Sequence, residues 1–383
     1  MFLPHAPSLG SPRRRRRGYR QLLAIVAVQA LANVMTGSFW LVYLVSPPQA
    51  LDFSTAILFW LLTFGVATAA VVVYARRPRV RATPSMLLGL GCAIGGHLAF
   101  AFLPPLAILA VAGTAFGLYL PAFWLPMNTL LAKETRAADR AGRLAGVTAT
   151  FTIVAVVAPI LGGLAAEAVG YRVLFLLGVA IVGANFLLIS SLAQRDEAST
   201  YRLDFRRLGG RTSLAFSGQG GSEGLLSVAA PLSAFLFTQA AFGLGLLFAL
   251  FSFAAGATTW ALGRLSDRAR VRRPFLVLGP ILAVPASVAA AVTVMAGADV
   301  RVFAFAVGWL SMASAMAPSF IFTIAVERME DALAGVAATR ELLLNASRSV
   351  ALAAGLVLLA LGSNIAFLYL LVAGVILLEV LAR

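Results

Sequence analysis

Long, unbroken apolar runs recur along this 383-residue chain, and they constrain its fold more than any motif does. A run of about 20 apolar residues is what an α-helix needs to cross the hydrocarbon core of a bilayer. In lipid every backbone polar group must be satisfied within the segment, so runs of this kind specify spanning helices. Strands of a transmembrane barrel are shorter and alternate apolar with polar residues, a pattern these runs lack. Bounded by charges, prolines and glycines, they give twelve candidate spans, at 21–45, 54–75, 84–103, 106–131, 144–166, 172–193, 212–236, 241–262, 274–296, 302–326, 335–361 and 364–382. Composition agrees, with 61% hydrophobic and only 12% charged residues, about half the charge of a soluble domain. It excludes a soluble enzyme, a disordered chain and a coiled coil. The fold class is therefore all-α, a polytopic membrane protein.

The net charge of +15 invites a nucleic-acid reading, which its distribution rejects. All basic residues are arginine except Lys133, and they cluster between apolar spans. Such clusters hold loops on the cytoplasmic side. They lie at Arg76–Arg81, Lys133–Arg143, Arg195–Arg211 and Arg264–Arg273, in alternate connections. With Arg340 and Arg348 inside the eleventh span set aside, 26 basic residues fall on one side and two, Arg172 and Arg301, on the other. Both termini are then cytoplasmic. The stretch after Arg13–Arg17 is too long for a signal-peptide core and reads as a first helix kept in the mature protein. Cys92 is the single cysteine, so no disulfide framework or cysteine metal site is expected. Heavy arginine and alanine usage suggests a high-GC bacterium, and hence its cytoplasmic membrane.

The two halves repeat. Leu144-Ala-Gly-Val-Thr-Ala-Thr150 reappears as Leu333-Ala-Gly-Val-Ala-Ala-Thr339, at an offset of 189. Arg79-Val-Arg81 recurs as Arg270-Val-Arg272, and Phe64 and Phe253 again stand 189 apart. Three matches in register predict two pseudo-symmetric six-helix bundles. The domains are then a basic tail at 1–20, a first bundle at 21–193, a linker at 194–211 and a second bundle at 212–383.

The stretch Gly263-Arg264-Leu265-Ser266-Asp267-Arg268-Ala269-Arg270-Val271-Arg272-Arg273 resembles the cytoplasmic loop signature of the major facilitator superfamily, with Arg270 in place of the second glycine. The resemblance implies a transporter of twelve helices, and it casts Gly263, Asp267, Arg268 and Arg272 as a clamp on the cytoplasmic side. A solvated basic loop is the plainer alternative. The first-half copy, Tyr74 to Arg81, keeps its positive charge but lacks the glycine and aspartate. Ala158-Pro159-Ile160-Leu161-Gly162-Gly163 is similar to the proline–glycine motif of the family's proton-coupled exporters, although ordinary helix packing explains those glycines equally well. The arginine those exporters carry in the fourth helix has no counterpart in Ala110–Gly117.

Charge inside a bilayer costs at least about 2.5–3.5 kcal/mol, so each instance asks for a reason. Glu223 sits mid-span in the glycine-interrupted stretch Ser217–Gly224. Gln29 and Asn33 map at an offset of 190 onto Gln219 and Glu223, which gives spans 1 and 7 matching polar pairs at i and i+4, each on one helix face. The family resemblance implies that these spans line a central cavity with spans 4 and 10. Glu223 then either binds a proton or cationic group, or stands in a static ion pair. In span 11, Glu341, Asn345 and Arg348 share a face, with Arg340 about 100° away. Arg348 is free to pair with Glu223, pair with Glu341, or bind an anion. Proton coupling is expected at Glu223, Glu341 and Arg348. Substrate binding is expected at Gln29, Asn33, Tyr119, Trp124, Gln219, Glu223, Trp309 and Arg348, with Ser311 beside them.

The remaining polar and special residues read as structure. His97 is a packed, hydrogen-bonded histidine, Trp40 and Tyr43 fit an interfacial belt, Gly91–Gly95 is a helix-packing spacing, and Pro121, Pro126 and Pro318 bend their helices. No phosphate loop, HExxH or dinucleotide fingerprint occurs, so no cofactor, metal or enzymatic chemistry is expected. The function this predicts is secondary active, proton-coupled transport of a small organic solute by a monomer, with export first and uptake of a sugar or organic anion second. A non-transporting sensor or scaffold of the same fold is the reading from another class. The expected partners are a small-molecule solute, protons and lipid, with no nucleic acid.

Overall fold

The computed structural model describes residues 12–134, 140–191, 198–269, 273–328 and 333–382. Among them are eleven helices long and apolar enough to cross a membrane: α1 (Gly18–Val45), α2 (Phe53–Arg76), α3 (Ala82–Phe102), α4 (Pro105–Leu131), α5 (Ala149–Val169), α6 (Tyr171–Ser190), α7 (Gly210–Phe237), α8 (Ala241–Leu262), α9 (Leu276–Met295), α10 (Val300–Val326) and α11 (Leu333–Ala360). The twelfth expected span is a shorter apolar element, α12 (Phe367–Leu381). Its last part, Ile376–Leu381, is a 3₁₀-helix, which rises about 2.0 Å per residue against about 1.5 Å in an α-helix and so extends its reach.

Helix ends follow local chemistry. Asp52 caps α2 by accepting the Thr55 backbone N–H at 2.8 Å. α1 is broken by a turn between Gly37 and Trp40, and α10 between Ser314 and Ala317. Pro318 stands in the first turn of the resumed helix, where a missing N–H costs nothing. Pro121 and Pro126 lie within α4 without ending it.

Helix pairing repeats from one half to the other. In the first half α1 packs on α5 and α6, α3 on α4 and α6, and α2 on α4. In the second, α7 packs on α11 and α12, α9 on α10 and α12, and α8 on α10. Each pairing is the other shifted by six helices, the two-bundle architecture expected from the repeat. The halves meet along two seams, α5 with α8 and α2 with α11, which the same shift interchanges.

The α5–α8 seam is backbone against backbone. A Cβ on Gly163 would lie 2.6 Å from the Ala241 carbonyl oxygen, and one on Gly245 2.5 Å from that of Pro159. Glu167 adds a carboxylate oxygen accepting the Phe242 N–H at 2.8 Å. Pro159 and Gly163, within the proline–glycine stretch of α5, thus pack directly on α8. The α2–α11 seam is made of side chains, and the connection between the halves crosses one end of it. Ala198–Ser199 pairs antiparallel with Val80–Arg81, with Val80 opposite Ser199. Tyr201, 1% exposed, is buried among Val71, Leu125, Ala337 and Ala338. The Asp204 N–H then donates to Thr339 Oγ1 at 3.0 Å. The connection is therefore bound to both halves.

Candidate functional site

Glycines on α7 set the central geometry. A Cβ on Gly220 would lie 2.5 Å from the Leu344 carbonyl oxygen, and one on Gly224 2.8 Å from the Arg348 Cα. This close crossing of α7 on α11 brings Glu223 and Arg348 face to face. Arg348 Nη2 donates to Glu223 Oε2 in a charge-assisted bond, and Nη1 donates to Asn345 Oδ1 at 2.9 Å. Gln219 Nε2 donates to the other Glu223 oxygen at 2.8 Å. The Arg348 guanidinium also lies 5.1 Å from the ring centroid of Phe64 on α2, so one side chain joins the ion pair to the opposite half. Glu223 is 38% exposed along its side chain and Arg348 17%. Glu341 takes no part in the pair. It accepts from Arg340 Nη1 at 2.9 Å, and its carbonyl oxygen accepts from Asn345 Nδ2. Arg340 also faces the rings of Phe216 and Phe322.

The first half repeats the motif with neutral groups. Gln29 Nε2 donates to Asn33 Oδ1 at 3.1 Å, the same i to i+4 bond as Gln219 to Glu223. Asn33 Nδ2 donates to Tyr119 Oη on α4 at 2.6 Å. Asn185 on α6, which sequence reasoning missed, donates to Gln29 Oε1 at 2.9 Å and to the Ile25 carbonyl oxygen at 3.2 Å. Gln29 is thereby engaged on both sides and fully buried.

A cavity of about 380 Å³ opens beside the ion pair, walled by α7, α8, α10 and α12. Gln219, Ser222, Glu223 and Glu379, with serines of α8 and α10, supply its polar lining. All of its walls belong to the second half, so Gln29 and Asn33 lie outside it, held in their own network with Tyr119. Glu379, on the 3₁₀ part of α12, was also missed. It is 1% exposed, with Oε1 within 3.2 Å of the Ser222 hydroxyl. The sequence signal for both missed residues was available, an amide and an acid inside apolar runs.

Other expectations fall differently. Trp124 packs on Phe123 and Phe151, and Trp309 against the main apolar core, while Ser311 reaches the cavity. Trp40 corrects the belt assignment. It is 5% exposed and ringed by Phe59, Trp60, His97, Phe100 and Phe116, because the turn after Gly37 directs it inward. Tyr43 also packs on aromatic rings, and its hydroxyl accepts from Gln49. His97 is buried with both ring nitrogens engaged, Nδ1 at 2.7 Å from the Ala93 carbonyl oxygen and Nε2 at 2.9 Å from Thr36 Oγ1. Gly91 and Gly95 face open space, and Gly89 and Gly96 make the close approaches on α3, to Phe123 and Phe116. Of the clamp residues, Gly263, Asp267 and Arg268 lie on the helix Ala241–Ala269, which runs straight into the loop signature, and Arg272 lies outside the described residues. Arg264, beside them, stacks 4.2 Å over Trp260.

No family description and no curated protein matches this sequence. Solved structures do match. One is a POT family transporter in complex with 5-aminolevulinic acid, with a TM-score of 0.74 at 11% identity, covering 95% of this chain and 94% of that one. Another is a POT family transporter in complex with a thioalcohol-conjugated peptide, with a TM-score of 0.73 at 11% identity and the same coverage. The chain has the fold of a POT family transporter. That fold fits the two-bundle, multi-pass architecture implied by the facilitator-like loop.

Proposed function

We propose that the chain is a secondary active transporter of a small organic solute, working by alternating access between its two six-helix halves and coupled to protons at Glu223. The observation that carries this reading is the Glu223–Arg348 pair, at mid-span beside a cavity, with Arg348 also against Phe64 of the other half. While Glu223 is ionised, the guanidinium is held by opposite charge and by Asn345 Oδ1. A proton on Glu223 removes that charge and leaves Arg348 with neutral acceptors and the Phe64 ring. The contact between α11 and α2 then changes with the protonation of a group that faces the cavity. Occupancy and the inter-half seam are thereby linked, as alternating access requires.

The shared fold supports transport, and the neighbours' bound molecules support a solute of modest size. Export is our first reading of direction, on the likeness of the Pro159–Gly163 stretch alone. The arginine clusters support cytoplasmic termini in a bacterial cytoplasmic membrane, with Gly263, Asp267, Arg268 and Arg272 clamping the cytoplasmic side of a monomer. Reconstituted vesicles test the reading. Adding a transported compound should move protons, and Glu223→Gln should abolish the dependence of flux on a pH gradient. Flux through Glu223→Gln with its pH dependence intact would return the pair to a purely structural role.

A further inference from the structure

The two halves differ in how their polar pairs are completed. In the first half, Asn185 from α6 donates to Gln29 Oε1, so the amide oxygen has a partner. In the second half, the buried polar residue that the sixth helix of the bundle brings to the pair is Glu379, whose carboxylate has no N–H to give. Two acceptors are left over. Gln219 Oε1 and Glu379 Oε2 are buried, 2% and 1% exposed as residues, and have no hydrogen-bond partner among the described residues. Glu379 Oε1 has only the Ser222 hydroxyl, which lies at 3.2 Å and also within 3.0 Å of the Gln219 carbonyl oxygen. One hydroxyl hydrogen cannot serve both.

Both residues line the same cavity, and none of the buried unpartnered donors among the described residues lines it with them. Buried acceptors without donors are costly, because each loses its water and gains nothing in return. A ligand that brings several N–H bonds and a positive charge would answer both acceptors at once, since Glu223 has Arg348 beside it while Glu379 has no basic side chain within ion-pair distance among the described residues. The hydroxyls of Ser252, Ser311 and Ser314 stand around the same space. Leu226, Phe251 and Pro318 supply apolar wall for an organic body.

We infer that this cavity binds a small organic ammonium compound, with its N–H groups donated to Glu379 Oε2 and Gln219 Oε1. The inference rests on the transport reading for its role, and it names the class of solute. The charged groups at mid-span on α7 and α11 are Glu223, Arg340, Glu341 and Arg348. Two of these form the pair described above and the other two pair with each other.

Binding to the purified full-length protein in detergent tests this without reference to transport. The probes are phenethylamine, its N-trimethyl derivative, which keeps the charge but has no N–H, and 3-phenylpropanoate. Phenethylamine should bind best, at least about tenfold more tightly than either control, the scale of one hydrogen bond to a charged group. Glu379→Gln should lower phenethylamine affinity by about tenfold or more. Ala255→Leu, on a different wall, should weaken it by filling the space, which keeps the test open if the first variant does not fold. Equal binding of the three probes, preference for the anion, or unchanged affinity in Glu379→Gln overturns the inference. So does stabilisation by sodium over choline chloride with no response to amine, which would assign the acceptors to a metal cation. Amine binding without any proton movement in vesicles would leave the inference standing and remove the transport reading. Proton-coupled flux of an anion with no amine binding would do the reverse.

Discussion

The ion pair between Glu223 and Arg348 is the contact to break first, and a double-mutant cycle measures it. Glu223→Gln keeps the side-chain shape and an acceptor for Gln219 Nε2, so it removes charge and little else. Arg348→Met keeps apolar contact with Phe64 while removing the guanidinium. Two unit charges about 4 Å apart at an effective dielectric constant of about 20 attract by about 4 kcal/mol. Exposed pairs yield only about 0.2–1 kcal/mol, because water screens them and ordering long side chains costs entropy. Glu223 at 38% exposure and Arg348 at 17% lie between these limits, so a coupling of about 2 kcal/mol is expected. Arg348→Met should be the costlier single change, since it leaves a half-buried acid facing no cation. The measurement is SDS-induced unfolding of the four purified proteins in mixed micelles at neutral pH. Single-variant costs that add to the double within about 0.5 kcal/mol would refute the reasoning.

The remaining predictions concern the frame around that pair. Gly220→Val should push α7 off the Leu344 backbone at a cost of about 1–3 kcal/mol, and the cycle repeated in that background should give a coupling near zero. Tyr201→Ala should loosen the end of the α2–α11 seam by about 3 kcal/mol, read as a tenfold or greater rise in maleimide labelling of Thr129→Cys (Thr129 is a buried α4 residue whose side chain meets the Tyr201 hydroxyl) in a Cys92→Ser background. Burial pushes the Tyr201 phenol up to about 12, so its contribution is whole below about pH 10 and lost as pH rises through 12; labelling should accelerate over that window. Hydrogen bonds from Thr55 hold the Asp52 carboxyl below its usual range, so its cap is intact at neutral pH and lost as pH falls through the carboxylate range. Asp52→Ala should cost about 1 kcal/mol at pH 7 in the same unfolding assay and lack that acid step.

Much of the fold was legible because the bilayer leaves a chain few options. Twelve apolar runs and a repeat of near 190 residues lead directly to two bundles. The Glu223–Arg348 contact was legible as one of three pairings, and the i to i+4 bonds of Gln29–Asn33 and Gln219–Glu223 followed from helical spacing alone. Less accessible was which helix faces which. Asn185 and Glu379 stood in the sequence as isolated polar residues, and only the packing of α6 on α1 and α12 on α7 gives them partners. Gly91 and Gly95 have the right spacing for a helix contact but point into open space, while Gly89 and Gly96 meet aromatic neighbours. Spacing identifies a face without saying what lies opposite it. Trp40 failed for a related reason, since the turn at Gly37–Phe39 rotates it out of the register a straight helix would give.

The unequal construction of the two seams bears on how such a molecule moves. Where α5 crosses α8, main chain touches main chain at Gly163 and Gly245, and surfaces that smooth roll well but leave nothing to fill a widening gap. The opposite join is a clasp of long side chains, Arg348 on Phe64 and Tyr201 in its nest, which can be undone and remade one piece at a time. The α2–α11 contacts can thus be broken singly, while the α5–α8 contact is lost only where two backbones part.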